Sequence, residues 1–82
     1  MEQKIKQDYE INIGKNIRNL RLERDMGQTE LVRDLQLVGI QMTREALVKI
    51  ERGKQHVQAS QLRGIRDVLN VTYDDLLKEG NG

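Results

Sequence analysis

The chain has no cysteine and no proline, one histidine (His56) and two aromatic residues, Tyr9 and Tyr73. Without cysteine it can form neither a disulfide nor a thiolate metal site, and a single histidine cannot hold a metal ion alone. Two tyrosines are too few for a base-stacking platform, so we do not expect a protein that binds single-stranded nucleic acid. Proline, the residue that most often breaks a helix, is absent.

Long hydrophobic runs are also missing from the 82 residues. A membrane span needs about 20 consecutive apolar residues, and a secretory signal needs an apolar segment after its charged start. The sequence has neither, so we expect a cytoplasmic protein with no membrane partner. Its length suits one small domain, which would bury only about 60% of its unfolded surface.

The residues that enzymes use are sparse. There is no nucleophilic cysteine, no His–Asp constellation, no glycine-rich phosphate loop and no set of metal ligands. Asp74 and Asp75 are adjacent carboxylates, but consecutive helix positions diverge, and these two suit the start of a helix. We therefore expect no catalytic site, no cofactor and no metal.

Charge is unevenly distributed along the chain, although the formal net charge is only +1. Residues 44–66 carry six basic and two acidic side chains, a net +4, whereas residues 67–82 carry one basic and four acidic, a net −3. This asymmetry predicts one basic face and one acidic end. The basic face would suit a phosphate backbone, and an ordinary solvated helix surface is the alternative that charge alone leaves open.

Apolar residues recur at spacings of three and four, which predicts helices, and no alternation typical of strands persists. We expect an all-α domain over residues 11–79, with five short helices around one core. The leading residues 1–10 could form a helical turn, a flexible arm or a dimer contact, and residues 80–82 a frayed tail. The expected helices cover residues 11–26, 28–38, 43–52, from 58 or 60 to 69, and from 72 to about 77.

Helix boundaries are marked by capping residues. Asn12, Gly27 and Thr43 can begin helices, and Thr72 with Asp75 resembles a capping box. Gly39 and Asn70 can take the left-handed conformation that ends a helix. The stripes expected to face the core are Ile13, Ile17 and Leu20; Leu31, Leu35 and Val38; Leu47 and Ile50; and Leu62, Ile65 and Leu69.

Three segments, in this order, resemble the Cro/cI-type (XRE-like) helix-turn-helix family of phage and bacterial repressors. They are IGKNIRNLRLERDMGQTEL, TREALVKIERGK and LNVTYDDLL. The resemblance covers residues 11–79 and implies a compact five-helix lambda-repressor-like domain. Residues 35–43 make the turn between its second and third helices about five residues longer than is usual in the family, and Asn70 replaces a glycine.

The resemblance implies that the helix at about residues 43–52 enters the major groove of double-stranded DNA. Its base-reading positions correspond to Arg44, Glu45 and Lys49, with Val48 beside them. Arginine and lysine can donate to guanine O6 and N7, glutamate can accept from cytosine N4, and valine can contact a thymine methyl group. The alternative for the charged positions is solvated surface, with Glu45 and Lys49 forming an i, i+4 ion pair.

Further roles follow from the same resemblance. Gln28 corresponds to a phosphate-contacting glutamine at a helix N-terminus, where the backbone N–H groups favour an anion. Arg21, at the edge of an apolar stripe, needs a carboxylate partner, and the family pattern makes Glu51 that partner. The other residues expected near the phosphate backbone are Thr43, Arg52, Lys54, Gln55 and His56, with Lys15 and Arg18 as weaker candidates.

The resulting hypothesis is a sequence-specific DNA-binding regulator, most simply a transcriptional repressor, that acts as a homodimer on a pseudo-palindromic operator. The alternative is a protein-interaction or antitoxin-like adaptor that keeps this fold, because a fold does not fix a function. An exposed apolar patch at the longer turn would favour the alternative.

Overall fold

The computed structural model describes residues 12–79 and the backbone of residues 4 and 5. This part of the chain is mostly helical, with five helices and two strands of two residues each, so the all-α prediction is confirmed at that level. No helix in it is both long and apolar enough to cross a membrane. The elements in chain order are β1 (Lys4–Ile5), α1 (Ile13–Glu23), α2 (Gln28–Leu37), α3 (Arg44–Glu51), β2 (Val57–Gln58), α4 (Ala59–Leu69) and α5 (Tyr73–Leu76).

Local capping accounts for where the helices begin and end. The side chains of Asn12, Thr43 and Thr72 each accept a hydrogen bond from the backbone N–H three residues further on, at 2.9–3.0 Å. Asn70 ends α4 in the left-handed conformation, with φ of +57°, and Gly39 has φ of +85° after α2. These caps were predicted because a cap depends only on neighbouring residues. The expected end of the first helix near residue 26 is wrong: α1 ends at Glu23, and Asp25 has a φ of +54° that no helix continues through.

The core collects the inward stripes of α1 to α4, together with Leu76 of α5. One predicted core residue is wrong: Val38 is 61% exposed, and its neighbour Leu37 is 77% exposed. Helix α2 ends at Leu37, and Val38 is its C-cap, so the chain turns away before the helical spacing can bring Val38 inward. Leu20 is only half-buried, at the margin of the core.

Helices α1 and α3 touch through their backbones at Gly14. A Cβ atom at this position would lie 2.0 Å from the carbonyl oxygen of Ile50 and 3.1 Å from the Cα of Glu51. Only glycine permits this approach, because a clash with backbone cannot be relieved by rotating a side chain. The contact fixes how deeply the C-terminal end of α3 seats against α1.

The turn between α2 and α3 spans residues 38–43 and is partly packed. Met42 is buried against the core, and Gln36 Nε2 donates a hydrogen bond to the Met42 carbonyl oxygen at 3.0 Å. The sequence did not mark Met42 as a core residue, because a single apolar residue in a loop has no periodicity to reveal it. The long turn is therefore anchored at its end, next to the start of α3.

Strand β1 pairs antiparallel with β2, with Lys4 opposite Gln58 and Ile5 opposite Val57. No strand pattern is visible in the sequence here, and the helical-turn alternative is wrong for residues 4 and 5. The remainder of the expected 1–10 arm, apart from these two residues, and the expected tail at residues 80–82 lie outside the described residues.

Helix α5 is held against α1 and α4 by polar contacts. Asn16 Nδ2 donates to the carbonyl oxygens of Leu76 at 2.8 Å and Lys78 at 2.9 Å. Arg66 lies over the Tyr73 ring at 4.6 Å from its centroid. A hydrogen bond to Asp67 raises the pKa of the Arg66 guanidinium above its usual value.

Candidate nucleic-acid interface

Helix α3 divides cleanly into a core side and an outer side. Leu47 and Ile50 are buried, whereas Arg44, Glu45 and Lys49 are exposed. This division follows from the sequence, because residues three apart share a helix face and those between them point away. Thr43 caps the helix through Ala46, which leaves the first turn regular and holds Arg44 and Glu45 at its outer N-terminal end.

The outer side of α3 carries two rows of side chains. Arg44, Val48 and Arg52 follow one another at intervals of four, and Glu45 and Lys49 form the second row. The ion pair between Glu45 and Lys49, which belonged to the solvated-surface alternative, is absent from the described structure, which contains ion pairs only elsewhere. Both side chains extend into solvent, where a weak i, i+4 attraction does not offset the entropy of holding two long chains. Their charges are available to a partner.

Arg21 of α1 and Glu51 of α3 form a bidentate ion pair. Arg21 Nε donates to Glu51 Oε2 at 2.8 Å, and Arg21 Nη2 donates to Glu51 Oε1 at 2.9 Å. Both side chains are almost fully buried, at 7% and 2% exposure. Arg21 Nη1 also donates to the Met26 carbonyl oxygen at 2.8 Å, so the pair ties α1, the α1–α2 junction and α3 together.

Gln28 is the first residue of α2 and lies beside this pair. Its Nε2 donates to Glu51 Oε1 at 3.0 Å, a contact that the sequence did not predict. Gly27, the N-cap, supplies no side-chain bond to the helix start, so the first N–H groups of α2 keep their capacity for an anion. The phosphate role expected for Gln28 stays a prediction, and its side chain also has a structural partner.

A polar cleft opens between α1, the start of α2 and the outer side of α3. We call it the arginine cleft, and its open face is lined by Arg18, Gln28, Arg44, Val48 and Arg52. Arg21 and Glu51 form its floor. Arg18, only a weaker candidate from the sequence, is brought into this group by the packing of α1 against α3, which no local pattern could reveal.

The remaining expected phosphate-contacting residues follow α3 in the loop before β2. Lys54, Gln55 and His56 are all exposed. Lys54 lines a second, outer hollow together with Glu45 and Lys49, and this hollow shares Arg44, Val48 and Arg52 with the arginine cleft. No cluster of three histidine, cysteine, aspartate or glutamate side chains that could hold a metal occurs among residues 12–79.

Several polar residues outside the expected site hold the scaffold. Arg24 donates to the carbonyl oxygens of Leu69 and Leu20, and Gln61 donates to that of Gln41 at 3.2 Å. Gln58 and Gln61 also form a capping box at the start of α4. The sequence missed the bonds to Leu69 and Gln41 because these acceptors are backbone oxygens distant along the chain. The capping box is local, but it uses a glutamine where serine or threonine is the usual signal.

Comparison of the chain with protein-family models, with characterised proteins and with solved structures finds no match. The surface of α3 and the arginine cleft are therefore the features that bear on function.

Proposed function

We propose that the protein binds double-stranded DNA sequence-specifically, through a lambda-repressor-like helix-turn-helix in which α2 and α3 are the two helices. The observation that carries the proposal is the outer side of α3. Arg44, Glu45 and Lys49 stand there exposed and take part in none of the ion pairs among residues 12–79. The fold does not need these charges, and a helix with a free polar side fits the major groove.

The chemistry of α3 suits base edges. Arg44 and Lys49 can donate to guanine O6 and N7, and Glu45 can accept from cytosine N4. Val48 is half-buried and exposes its methyl groups between Arg44 and Arg52, where a thymine methyl group could pack. Under the proposal these four residues determine which DNA sequence the protein binds.

The residues around α3 suit the phosphate backbone, which positions the protein without reading sequence. Gln28 lies at the start of α2, where no side chain caps the first N–H groups, and Lys54 lies in the exposed loop after α3. The net +4 over residues 44–66 gives this face the sign that a duplex attracts. The full set assigned here to phosphates is Gln28, Thr43, Arg52, Lys54, Gln55 and His56.

We propose further that the protein acts as a homodimer and represses transcription from a pseudo-palindromic operator in the cytoplasm. One domain with a single α3 reads one half-site, and dimers of such domains bind two half-sites about one helical turn apart, roughly 34 Å. The acidic end around α5 carries the exposed Leu77 and Tyr73, and this surface is the candidate dimer contact.

The test is selection of bound duplexes from a random DNA pool at two salt concentrations. We expect enrichment of an inverted repeat that the double variant Arg44→Ala/Lys49→Ala no longer enriches. The matched control, Arg33→Ala/Arg63→Ala, removes the same charge from exposed positions on α2 and α4 and should enrich the wild-type repeat. If neither the wild-type protein nor the control variant enriches a duplex, sequence-specific DNA binding is contradicted.

A protein-interaction or antitoxin-like adaptor is the second candidate, favoured by the exposed Leu37 and Val38 at the start of the long turn. Two adjacent side chains that are 77% and 61% exposed make a small apolar projection of the kind that partner proteins cover. If a folded chain enriches no duplex, retention of a partner that Leu37→Ser/Val38→Ser no longer retains would establish this function instead.

A further inference from the structure

The arginines of this chain fall into two groups by their contacts. Arg21, Arg24, Arg33 and Arg66 each have a carboxylate or a carbonyl oxygen as partner. The other four of the eight, Arg18, Arg44, Arg52 and Arg63, have no side-chain hydrogen bond or ion pair in the part of the chain that the structure describes. Three of these four line the arginine cleft.

The only carboxylate among the residues that line the cleft is that of Glu51, and it already has partners. Glu51 accepts three hydrogen bonds, two from Arg21 and one from Gln28. Its charge is matched by that of Arg21, so it does not neutralise Arg18, Arg44 or Arg52. Three unmatched guanidinium groups around one cleft repel one another unless an anion lies among them. The cleft thus favours an anionic occupant.

Arg44 and Arg52 line the outer hollow as well as the cleft, whereas Arg18 lines only the cleft of these two. Arg44 lies in the first turn of α3, so it can turn toward a base edge. Arg18 belongs to α1, not to α3, so it cannot follow α3 into the groove. Arg52 is the C-cap of α3, at the opposite end from the N-terminal residues that reach base edges most deeply.

We propose that Arg18 and Arg52 bind one phosphate of the DNA backbone between them in the arginine cleft, with Arg18 as a contact that sets the register of α3. The inference rests on the proposed DNA-binding function and adds a residue and a role to it. A guanidinium can donate two parallel hydrogen bonds to phosphate oxygens, so two such groups fix a phosphate in position as well as attract it. This contact carries no sequence information.

The expected effect of Arg18→Gln is a loss of affinity that is the same for every sequence. We expect about a tenfold weaker affinity for the selected duplex, because charge-assisted hydrogen bonds to a phosphate are lost. The slope of log affinity against log salt should become shallower by about 0.9, the value for one neutralised phosphate. Arg18→Lys should restore the slope, and restore the affinity in part, because lysine keeps the charge without the bidentate geometry.

The experiment measures the affinity of the selected duplex as a function of salt for wild type, Arg18→Gln, Arg18→Lys and the matched control Arg63→Gln. Arg63 is an unpartnered, exposed arginine of α4 outside the cleft, so its variant should match wild type. Duplexes with one uncharged methylphosphonate per half-site then locate the contact. At one position the methylphosphonate should weaken the binding of wild type about tenfold. It should hardly change the binding of Arg18→Gln, because that variant has already lost the contact.

The outcomes separate the two proposals. If wild type selects a duplex but Arg18→Gln behaves like Arg63→Gln, the phosphate contact of Arg18 is wrong and sequence-specific DNA binding stands. If wild type selects no duplex, both proposals fail together. Because Arg18 is exposed and its side chain forms no hydrogen bond or ion pair among residues 12–79, equal urea midpoints for wild type and Arg18→Gln should accompany either result.

Discussion

At the level of single residues, the buried contact between Arg21 and Glu51 orients α3, a role that a short turn could otherwise have. The turn before α3 is long, so it does not by itself fix where α3 lies. The bidentate pair joins the C-terminal end of α3 to α1, and Gln28 joins the same carboxylate to the start of α2. These bonds hold α2 and α3 together at the end away from the turn, while buried Met42 anchors the turn itself.

Removal of one member of this pair should be costly. Arg21→Ala leaves Glu51 as a buried carboxylate with only Gln28 as a donor, and we expect a loss of about 3–5 kcal/mol in the free energy of unfolding. Urea denaturation followed by circular dichroism measures it. The matched control is Arg33→Ala, because Arg33 lies 3.5 Å from Asp34 with its side chain 66% exposed, and such a pair contributes under about 1 kcal/mol. Equal urea midpoints for the two variants would contradict the structural role of Arg21.

At the scale of elements, α5 is a helix of four residues that cannot be stable alone. It forms because Thr72 and Asp75 satisfy each other's backbone N–H groups at its start and because Leu76 is buried in the core. Asn16 of α1 adds two hydrogen bonds to backbone oxygens at its end. Local capping and distant packing agree at this element, and neither would suffice alone.

The capping box predicts a pH dependence. The Thr72 backbone N–H, with a further contribution from its hydroxyl, holds the pKa of the Asp75 carboxyl below its usual value. A lowered folded-state pKa means that this carboxylate stabilises the fold above the ordinary aspartate pKa of about 3.9, and that the contribution is lost as pH falls through the lower value. The difference in urea midpoint between wild type and Asp75→Ala should therefore be present at pH 7 and shrink toward pH 3.

Asp74→Ala is the matched control for this measurement, because Asp74 lies on the same turn and takes no part in the capping box. Equal shrinkage in both variants would assign the pH dependence to the general charge of α5 instead of to the cap.

At the scale of the whole molecule, the five helices close around a core made chiefly of aliphatic side chains. Its shape depends on how closely α1 and α3 approach, and Gly14 sets that distance. The close packing of α1 against α3 also places Arg18 at the edge of the arginine cleft and Arg21 next to Glu51. The candidate interface is therefore a product of core packing and not a separate feature of the surface.

Gly14→Ala should disturb this arrangement as a whole. Because the new methyl group would meet the Ile50 carbonyl oxygen, α1 and α3 must separate, and we expect a loss of about 1–3 kcal/mol in the free energy of unfolding. Gly27→Ala is the control, since no atom lies within 4 Å of a Cβ there and its φ of −79° suits any residue. The prediction fails if thermal unfolding gives Gly14→Ala a Tm as high as that of the control.

Local sequence patterns dictate the helices and most of their boundaries. Asn12, Thr43 and Thr72 cap helices through bonds that span three residues, and Asn70 ends α4 through its own backbone angle. These features depend only on residues close together in the chain, so the sequence alone is enough to predict them. The same holds for the split of α3 into a buried and an exposed side, which its spacing dictates.

Which distant residues come into contact depends instead on how the helices pack. In the folded chain Val38 lies in solvent, Met42 lies in the core, and Gln28 donates a hydrogen bond to Glu51. The packing also places Arg18 beside Arg52. Each of these outcomes depends on where another helix lies, and helix positions follow from the joint packing of the core and from one close backbone contact at Gly14. That information is spread over the whole chain, so no local pattern contains it.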